Sequence, residues 1–306
     1  SNKEFYDNNL IIFPSPNFGD GKLGLSYQFV ENAQYLRGGD KINSEEAGQL
    51  VNAVEIFMRD HSDRSIGIVT MNVPQRELIN EMMNARFSES TIAEEYRARW
   101  SNTLEPFFVK NLENVQGDER DVIFISTLYG KEDASEKLNQ NFGPINKANG
   151  HRRLNVLFTR AKQKIVIFSS LNPDEIRITE DSPRGLRVFK EYLKYAKTGD
   201  LSFNRVTGRD YGSDFESSIA KYIKDWGYEV DSQVGVGGYY LDLAVIHPHK
   251  PGKHMLAIEC DGATYHSSRS ARDRDRLRQQ ALERMGWSIH RIWSTDWFRN
   301  PRAQLN

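Results

Sequence analysis

Two acidic residues, Asp242 and Glu259, stand inside otherwise apolar, strand-forming segments, Tyr240-Leu241-Asp242-Leu243-Ala244-Val245-Ile246 and His254-Met255-Leu256-Ala257-Ile258-Glu259-Cys260-Asp261. Acidic side chains are poor strand formers, so two of them in such company call for a reason. If the turn between the segments centres near Lys250, Asp242 falls opposite Glu259. Opposed residues of an antiparallel pair share a face, with Cβ atoms ~4.5–5.5 Å apart. Two like charges at that spacing repel unless a cation lies between them. The pattern therefore points to a hard divalent ion on oxygen ligands, Mg²⁺ (or Mn²⁺). The alternative reading is a buried, hydrogen-bonded acid pair with no metal.

Downstream, Arg269, Arg272, Arg274 and Arg276 open a helix, interleaved with Asp273 and Asp275. A self-paired, solvated helix face explains such a cluster. The functional reading is phosphate contact beside the acids. His247 and His249 flank Pro248 in a turn and read as loop residues. Trp287, Trp293 and Trp297 read as core and rim packing.

In the first half, Gln116-Gly117 precedes the apolar run Val122-Ile123-Phe124-Ile125-Ser126. Glycine has no Cβ, so backbone there can approach a ligand closely. Arg160 lies in a stretch, Leu154 to Lys162, that reads as a helix at a sheet edge, where a guanidinium can reach a neighbouring domain.

The elements around these groups fall into two patterns. Leu10 to Phe13 and Leu25 to Val30 read as short strands. A helix begins at Ser44, a plausible cap with Glu45 and Glu46 in its first turn. Strand Ser65 to Thr70, helix Pro74 to about Arg86, strand 122–126, helix 154–162 and strand Lys164 to Ser169 alternate, which predicts a parallel α/β sheet. Asp133 to Gly150 is a polar excursion, and Arg184 to Lys197 an amphipathic helix ended by Gly199. After a Gly- and Asp-containing stretch comes helix Asp214 to Trp226, strands Tyr228 to Val236, Tyr239 to Ile246 and His254 to Cys260, helix Ser270 to Met285 and strand Ile289 to Trp293. The implied domains are 1–199 and 213–306, joined by a linker at 200–212.

Composition narrows the class. The 306 residues are 38% apolar and 27% charged with a net charge of −1, as in globular proteins. No apolar run reaches the ~18 residues of a membrane helix, so no membrane partner is expected. The first apolar cluster is too short for a signal peptide. One cysteine, Cys260, excludes an intrachain disulfide and suits a reducing cytoplasm.

Three segments resemble motifs of Upf-like superfamily I helicases. Ile68-Val69-Thr70-Met71-Asn72-Val73-Pro74-Gln75 is similar to motif IV, Glu113-Asn114-Val115-Gln116-Gly117-Asp118-Glu119 to motif V, and Arg152-Arg153-Leu154-Asn155-Val156-Leu157-Phe158-Thr159-Arg160-Ala161-Lys162 to motif VI. The resemblance implies the second RecA-like domain of a helicase, a parallel sheet with helices on both faces. It implies Arg160 as the finger on the γ-phosphate of ATP, Gln75 lining the nucleotide cleft, and Gln116, Gly117 and Glu119 coupling nucleotide to single-stranded nucleic acid. No G-x-x-x-x-G-K-[ST] loop occurs in the sequence. The expected ATP partner domain is therefore an N-terminal helicase domain of a longer polypeptide, and ATP is a ligand of that full-length protein alone.

The second half resembles the PD-(D/E)xK nucleases, a small restriction-endonuclease-like α/β domain, and more specifically the very-short-patch-repair (Vsr) branch. The resemblance rests on Glu259-Cys260-Asp261-Gly262-Ala263-Thr264-Tyr265-His266, Asp275-x-x-Arg278, Gly286-Trp287, Arg291-Ile292-Trp293 and Asp296-Trp297. It implies Glu216 as the helical acid that completes the site, the Cys260 carbonyl as a further metal ligand, His266 as general base and Asp261 as an outer or second-metal carboxylate. The fold's usual Lys is absent, and Asp261 occupies its place. The implied activity is metal-dependent DNA hydrolysis, delivered by a helicase in repair or in defence against foreign DNA. The competing expectation is a cleavage-dead, nuclease-like module that binds DNA and targets the helicase.

Overall fold

The computed structural model describes residues 15–16, 23–133, 137–198, 211–236, 239–250, 253–261 and 269–304, with the side chains at 236, 239 and 269–275 outside the description. The chain divides into two compact units, Lys22–Asp200 and Ser1–Gly21 with Leu201–Asn306.

The first unit is built on five parallel strands in the order β1-β5-β4-β2-β3: β1 (Gly24–Phe29), β2 (Ile66–Thr70), β3 (Phe108–Asn111), β4 (Arg120–Ser126) and β5 (Ala161–Ser169). Alternation decides which side chain meets which layer. Val122 and Phe124 of β4 join Ile66 and Ile68 of β2 under helices α1 (Ser44–Asp60), α2 (Val73–Glu89) and α3 (Thr91–Ser101). Ile123 and Ile125, one residue out of phase, face the opposite layer with helices α4 (Gly150–Phe158) and α5 (Arg184–Thr198). Both faces are thus covered, as an all-parallel sheet requires, and the RecA-like α/β expectation holds.

Several local expectations need correction. The cap of α1 is Asn43, not Ser44: the Asn43 side chain accepts the Glu46 amide at 3.1 Å. Helix α4 stops at Phe158, so Arg160 sits in the turn and Lys162 in β5. The cause is sheet pairing, since β5 is drawn back until Ala161 lies beside Arg120 and the Arg160 carbonyl accepts the Arg120 amide. Helix α3 was not foreseen because only Ala93 and Tyr96 of it are buried, too sparse a stripe to read. The segment Leu10 to Phe13 lies outside the described residues, as does Gly199.

Within the polar excursion, Gly143–Asn146 forms a 3₁₀ turn that docks under α4 and α5. The Ile145 carbonyl is the wedge: a Cβ on Gly150 would lie 1.9 Å from it and one on Gly185 2.1 Å. Only glycine permits that approach.

The second unit carries a mixed sheet, β6 (Val230–Val236), β7 (Tyr239–Ile246), β8 (His254–Asp261) and β9 (Ile289–Trp293), in that order. β6–β7 and β7–β8 are antiparallel, and β8–β9 is parallel. Helix α6 (Asp214–Asp225) packs Phe215, Ile219 and Ile223 against Leu243, Val245, Ile258 and Ile292. Helix α7 (Arg269–Arg284) lays Leu282 against Leu241, Ala244 and Ala257. Helices α8 (Ser294–Arg299) and α9 (Pro301–Gln304) follow. Trp287 and Trp297 are core, whereas Trp293 is 40% exposed at the rim. Pro16 belongs here too, its carbonyl accepting the His254 amide at 2.8 Å. Among the described residues no helix is long and apolar enough to cross a membrane.

Candidate functional site

The β7–β8 ladder runs through Val245–Leu256, Ala244–Ala257 and Leu243–Ile258. The next position in that register sets Asp242 against Glu259. Ala244 and Ala257 pack toward α7, whereas Leu243 and Ile258 pack toward α6. By the same alternation, Glu259 and Asp261 belong to the α7 face, whereas Leu241 packs with Ala244 toward α7, so the alternation of β7 is interrupted at Asp242.

Asp242 Oδ2 accepts the Cys260 amide at 2.8 Å. Burial pushes its carboxyl up to about 6, the Cys260 amide opposes that, and the charges of Glu216, Glu259 and Asp261 push it further up. The group therefore sits in a field short of positive charge. The Cys260 thiol is raised well above its usual value by burial and the same four acids, so it stays protonated. Its side chain packs partly on the α6 core, and it is no nucleophile.

Glu216 has another occupation. Ser213 caps α6, its Oγ accepting the Glu216 amide at 3.2 Å and donating to Glu216 Oε1 at 3.2 Å. Glu216 Oε2 accepts Gly212 N at 2.8 Å and Gln233 Nε2 at 2.9 Å. Both oxygens are engaged locally, while the charge still reaches Asp242. Gln233 itself has φ 51°, left-handed for a residue with a Cβ, at the point where the β6–β7 register passes over Gln233 and Asp242. Strain of this kind persists where surrounding structure holds it.

Glu259 and Asp261 share a cation. Arg291, paired with Glu259 in the β8–β9 register, places Nη2 at 2.8 Å from Glu259 Oε2 and Nε at 3.2 Å from Asp261 Oδ2. The sequence reading gave Arg291 no role; its place in the alternation of β9 could have found it. His266 lies outside the described residues, as do the side chains of Arg269, Arg272 and Arg274. Arg276 is exposed on α7. Among the described residues no three His, Cys, Asp or Glu side chains converge on one point. The oxygen donors suit a hard divalent ion, as does the field that disfavours Asp242 ionisation.

In the first unit the sequence-predicted residues separate. Gln75 is fully buried and clamps Asn43, accepting its amide at 2.8 Å and donating to its carbonyl at 3.0 Å, with a further bond to Ser126 Oγ. It braces the strand ends rather than lining an open wall. Gln116 and Glu119 are exposed, and Gly117 adopts φ 90° in their turn. Arg160 folds back on α4, with Nε on the Val156 carbonyl at 2.9 Å and Nη2 on Thr159 Oγ1 at 3.1 Å.

The residue that sequence reasoning missed is Glu46. It is fully buried below the C-terminal ends of β4 and β5, where parallel α/β sheets place their ligands. It accepts from Ser126 Oγ at 2.7 Å, Leu128 N at 2.6 Å and Ser170 N at 3.2 Å. Burial pushes its carboxyl up to about 7 against these donors. Its signal was present in the sequence, because Glu46 falls one turn before Leu50 and two before Val54 on the apolar stripe of α1.

Residues 25–172 match the AAA domain family AAA_12, and residues 215–306 match the family REase_MTES_1575. The chain is 27% identical over 317 residues to the uncharacterized ATP-dependent helicase MG140 of Mycoplasma genitalium, covering 98% of this chain and 27% of that protein. It is 27% identical over 323 residues to the homologue in Mycoplasma pneumoniae, covering 100% of this chain and 27% of that one. The chain thus spans about a quarter of the length of these relatives. A crystal structure of the C-terminal domain of a possible DNA helicase from Lactobacillus plantarum WCFS1 aligns at 16% identity and a TM-score of 0.28, over 44% of this chain and 74% of that one, too weak a superposition to carry an argument. An AAA_12 helicase-like region and a REase_MTES_1575 restriction-endonuclease-like region therefore lie in one chain, homologous to proteins named as ATP-dependent helicases.

Proposed function

We propose that the C-terminal unit is a metal-dependent DNA endonuclease, carried by the second motor domain of an ATP-dependent superfamily I helicase. The observation that carries it is the hydrogen bond from Cys260 N–H to Asp242 Oδ2 at 2.8 Å, which brings Asp242 to the segment bearing Glu259 and Asp261, where burial and the charges of Glu216, Glu259 and Asp261 push its carboxyl up to about 6. Asp242 and Glu259 would hold Mg²⁺ or Mn²⁺, the Cys260 carbonyl being a further candidate ligand. The bound ion would polarise the scissile phosphate and acidify a water. Cys260 N–H fixes the Asp242 carboxylate. Glu216 adds negative charge from a rigid helix start. His266 would take the proton from the attacking water, and the arginines of α7 would grip flanking phosphates. The Vsr-like branch is the reading for specificity, with DNA repair or defence in the cytoplasm as the setting.

In the longer polypeptide, Arg160 would leave the Val156 carbonyl and turn to ATP held by the preceding domain, while Gln116, Gly117 and Glu119 would sense the nucleic-acid strand. The test for the nuclease is nicking of plasmid DNA in Mg²⁺ or Mn²⁺ by the chain and by Asp242→Ala. Loss in the variant supports the assignment, and equal signals overturn it. A second reading, a DNA-binding module without cleavage, is favoured by one observation, the absence of a lysine at position 261. It predicts metal-independent DNA binding and no nicking by either protein.

A further inference from the structure

Position 261, where the nuclease motif carries its lysine, holds an acid that is 8% exposed. That adds a negative charge close to Asp242 and Glu259, and its field reaches Asp242. Among the described residues Arg291, on the neighbouring strand, answers it: it bonds Glu259 Oε2 at 2.8 Å and pairs with Asp261 Oδ2 at 3.2 Å. Its place is fixed by the backbone, because Arg291 is the parallel-register partner of Glu259 and Trp293 that of Asp261. The adjoining Ile292 is fully buried in the α6 core, so β9 cannot slip. A guanidinium has the forked geometry to hold two carboxylates at once, which an ammonium does not.

We propose that Arg291 supplies from β9 the fixed positive charge that the motif lacks at position 261. Resting on the endonuclease reading, it is a positioning residue. It neutralises Glu259 and Asp261, holds them on the β9 side, and so leaves Asp242 as the dominant ligand for the divalent ion. Two consequences run in opposite directions. Because Arg291 and the ion compete for Glu259, removing the guanidinium tightens metal binding. Because the acids are then no longer held in place, cleavage falls. A residue that merely packs would lower both.

The test uses the full chain with Arg291→Met and Arg291→Lys. Mn²⁺ affinity is read by electron paramagnetic resonance titration, thermal unfolding is followed in EDTA and in Mn²⁺, and nicking is assayed alongside. Arg291→Met is expected to bind Mn²⁺ about tenfold more tightly, the effect of removing one adjacent like charge. It should unfold at lower temperature in EDTA, regain most of that loss in Mn²⁺, and nick at least about tenfold more slowly. Arg291→Lys should lie between the variant and the wild type on all three. Unchanged or weaker Mn²⁺ binding by Arg291→Met, or a stability loss equal with and without Mn²⁺, overturns the proposal. Should Arg291→Met not fold, Arg291→Gln is read by the same criteria. Failure of the nuclease reading looks different: the wild type would not nick, whereas the Mn²⁺ rescue of Arg291→Met would still be seen.

Discussion

Glu46 Oε1 accepts the Leu128 amide at 2.6 Å, tying the start of α1 to the loop that leaves β4. Leu128 is fully buried with φ 56°, a left-handed conformation that costs roughly 1–2 kcal/mol for a residue with a Cβ. The carboxylate holds it there. The group's pKa is about 7 in the fold against an ordinary 4.5. A raised carboxyl stabilises the fold in its protonated form. That contribution is complete below pH 4.5 and is lost as pH rises through 7, about 3 kcal/mol in all at 1.36 kcal/mol per unit. Glu46→Gln does not titrate, yet it turns an amide toward Ser170 N–H. It should cost about 1–3 kcal/mol at pH 5 and much less at pH 8. Urea unfolding of both proteins at the two pH values measures this, and a difference that stays constant would refute it.

Asp242 makes the corresponding prediction for the second unit. Its carboxyl lies at about 6 rather than 3.8. Ionisation therefore costs the metal-free fold nothing below pH 3.8 and up to about 3 kcal/mol above pH 6. Asp242→Asn retains an oxygen for the Cys260 amide. In EDTA it should raise the melting temperature at pH 8 and change it little at pH 4, while abolishing nicking. A variant less stable than wild type at pH 8 would show that the carboxylate is a structural support instead. In the wild type, Mn²⁺ binding should weaken steeply below about pH 6 as Asp242 takes up its proton.

Arg160 separates folding from motor function. Among the described residues its guanidinium bonds to the Val156 carbonyl, in the last turn of α4, and to Thr159 Oγ1. Arg160→Ala should therefore cost less than about 1 kcal/mol in unfolding experiments. In the full-length protein, DNA-stimulated ATP hydrolysis should fall by about 10³ or more, with Arg160→Lys scarcely better because the fork is lost. ATPase activity within a few-fold of wild type would remove Arg160 from the nucleotide site.

How far the sequence could be read depended on the range of the interaction concerned. The buried strands announced themselves as apolar runs, and Asp242 with Glu259 stood out because acids interrupt such runs. The turn near Lys250 alone does not set their register, because the β7–β8 ladder shifts by one residue between Val245 and Ile246 before it reaches Leu243 and Ile258. Arg160 was placed in a helix because its neighbours Leu154 and Leu157 have helical spacing. What stopped the helix was Arg120, on a strand whose pairing no local pattern reveals. Glu46 reads locally as a first-turn acid, although its partners are Ser126 at the end of β4 and Leu128 and Ser170 in the segments that follow β4 and β5. Arg291 escaped for the same reason, because its meaning lies in the strand beside it.

Gly185 and Gly117 give the last prediction, because one substitution should act at the two positions by different mechanisms. A Cβ at Gly185 would fall 2.1 Å from the Ile145 carbonyl and 3.1 Å from the His151 amide, both backbone atoms. Neither can rotate away, so α4 or α5 must shift. Overpacking of this kind costs about 1–3 kcal/mol or more, and the shift would displace the segment that carries Arg152, Arg153 and Arg160. At Gly117 a Cβ meets nothing within 4 Å. Only the φ of 90° is penalised there, by about 1–2 kcal/mol. Gly185→Ala should lower the unfolding free energy and broaden the amide spectrum of residues 145–160 in NMR. Gly117→Ala should leave those resonances in place, with chemical-shift changes confined to 113–120. If Gly185→Ala leaves the 145–160 signals unmoved, the Ile145 wedge is not what sets the position of α4.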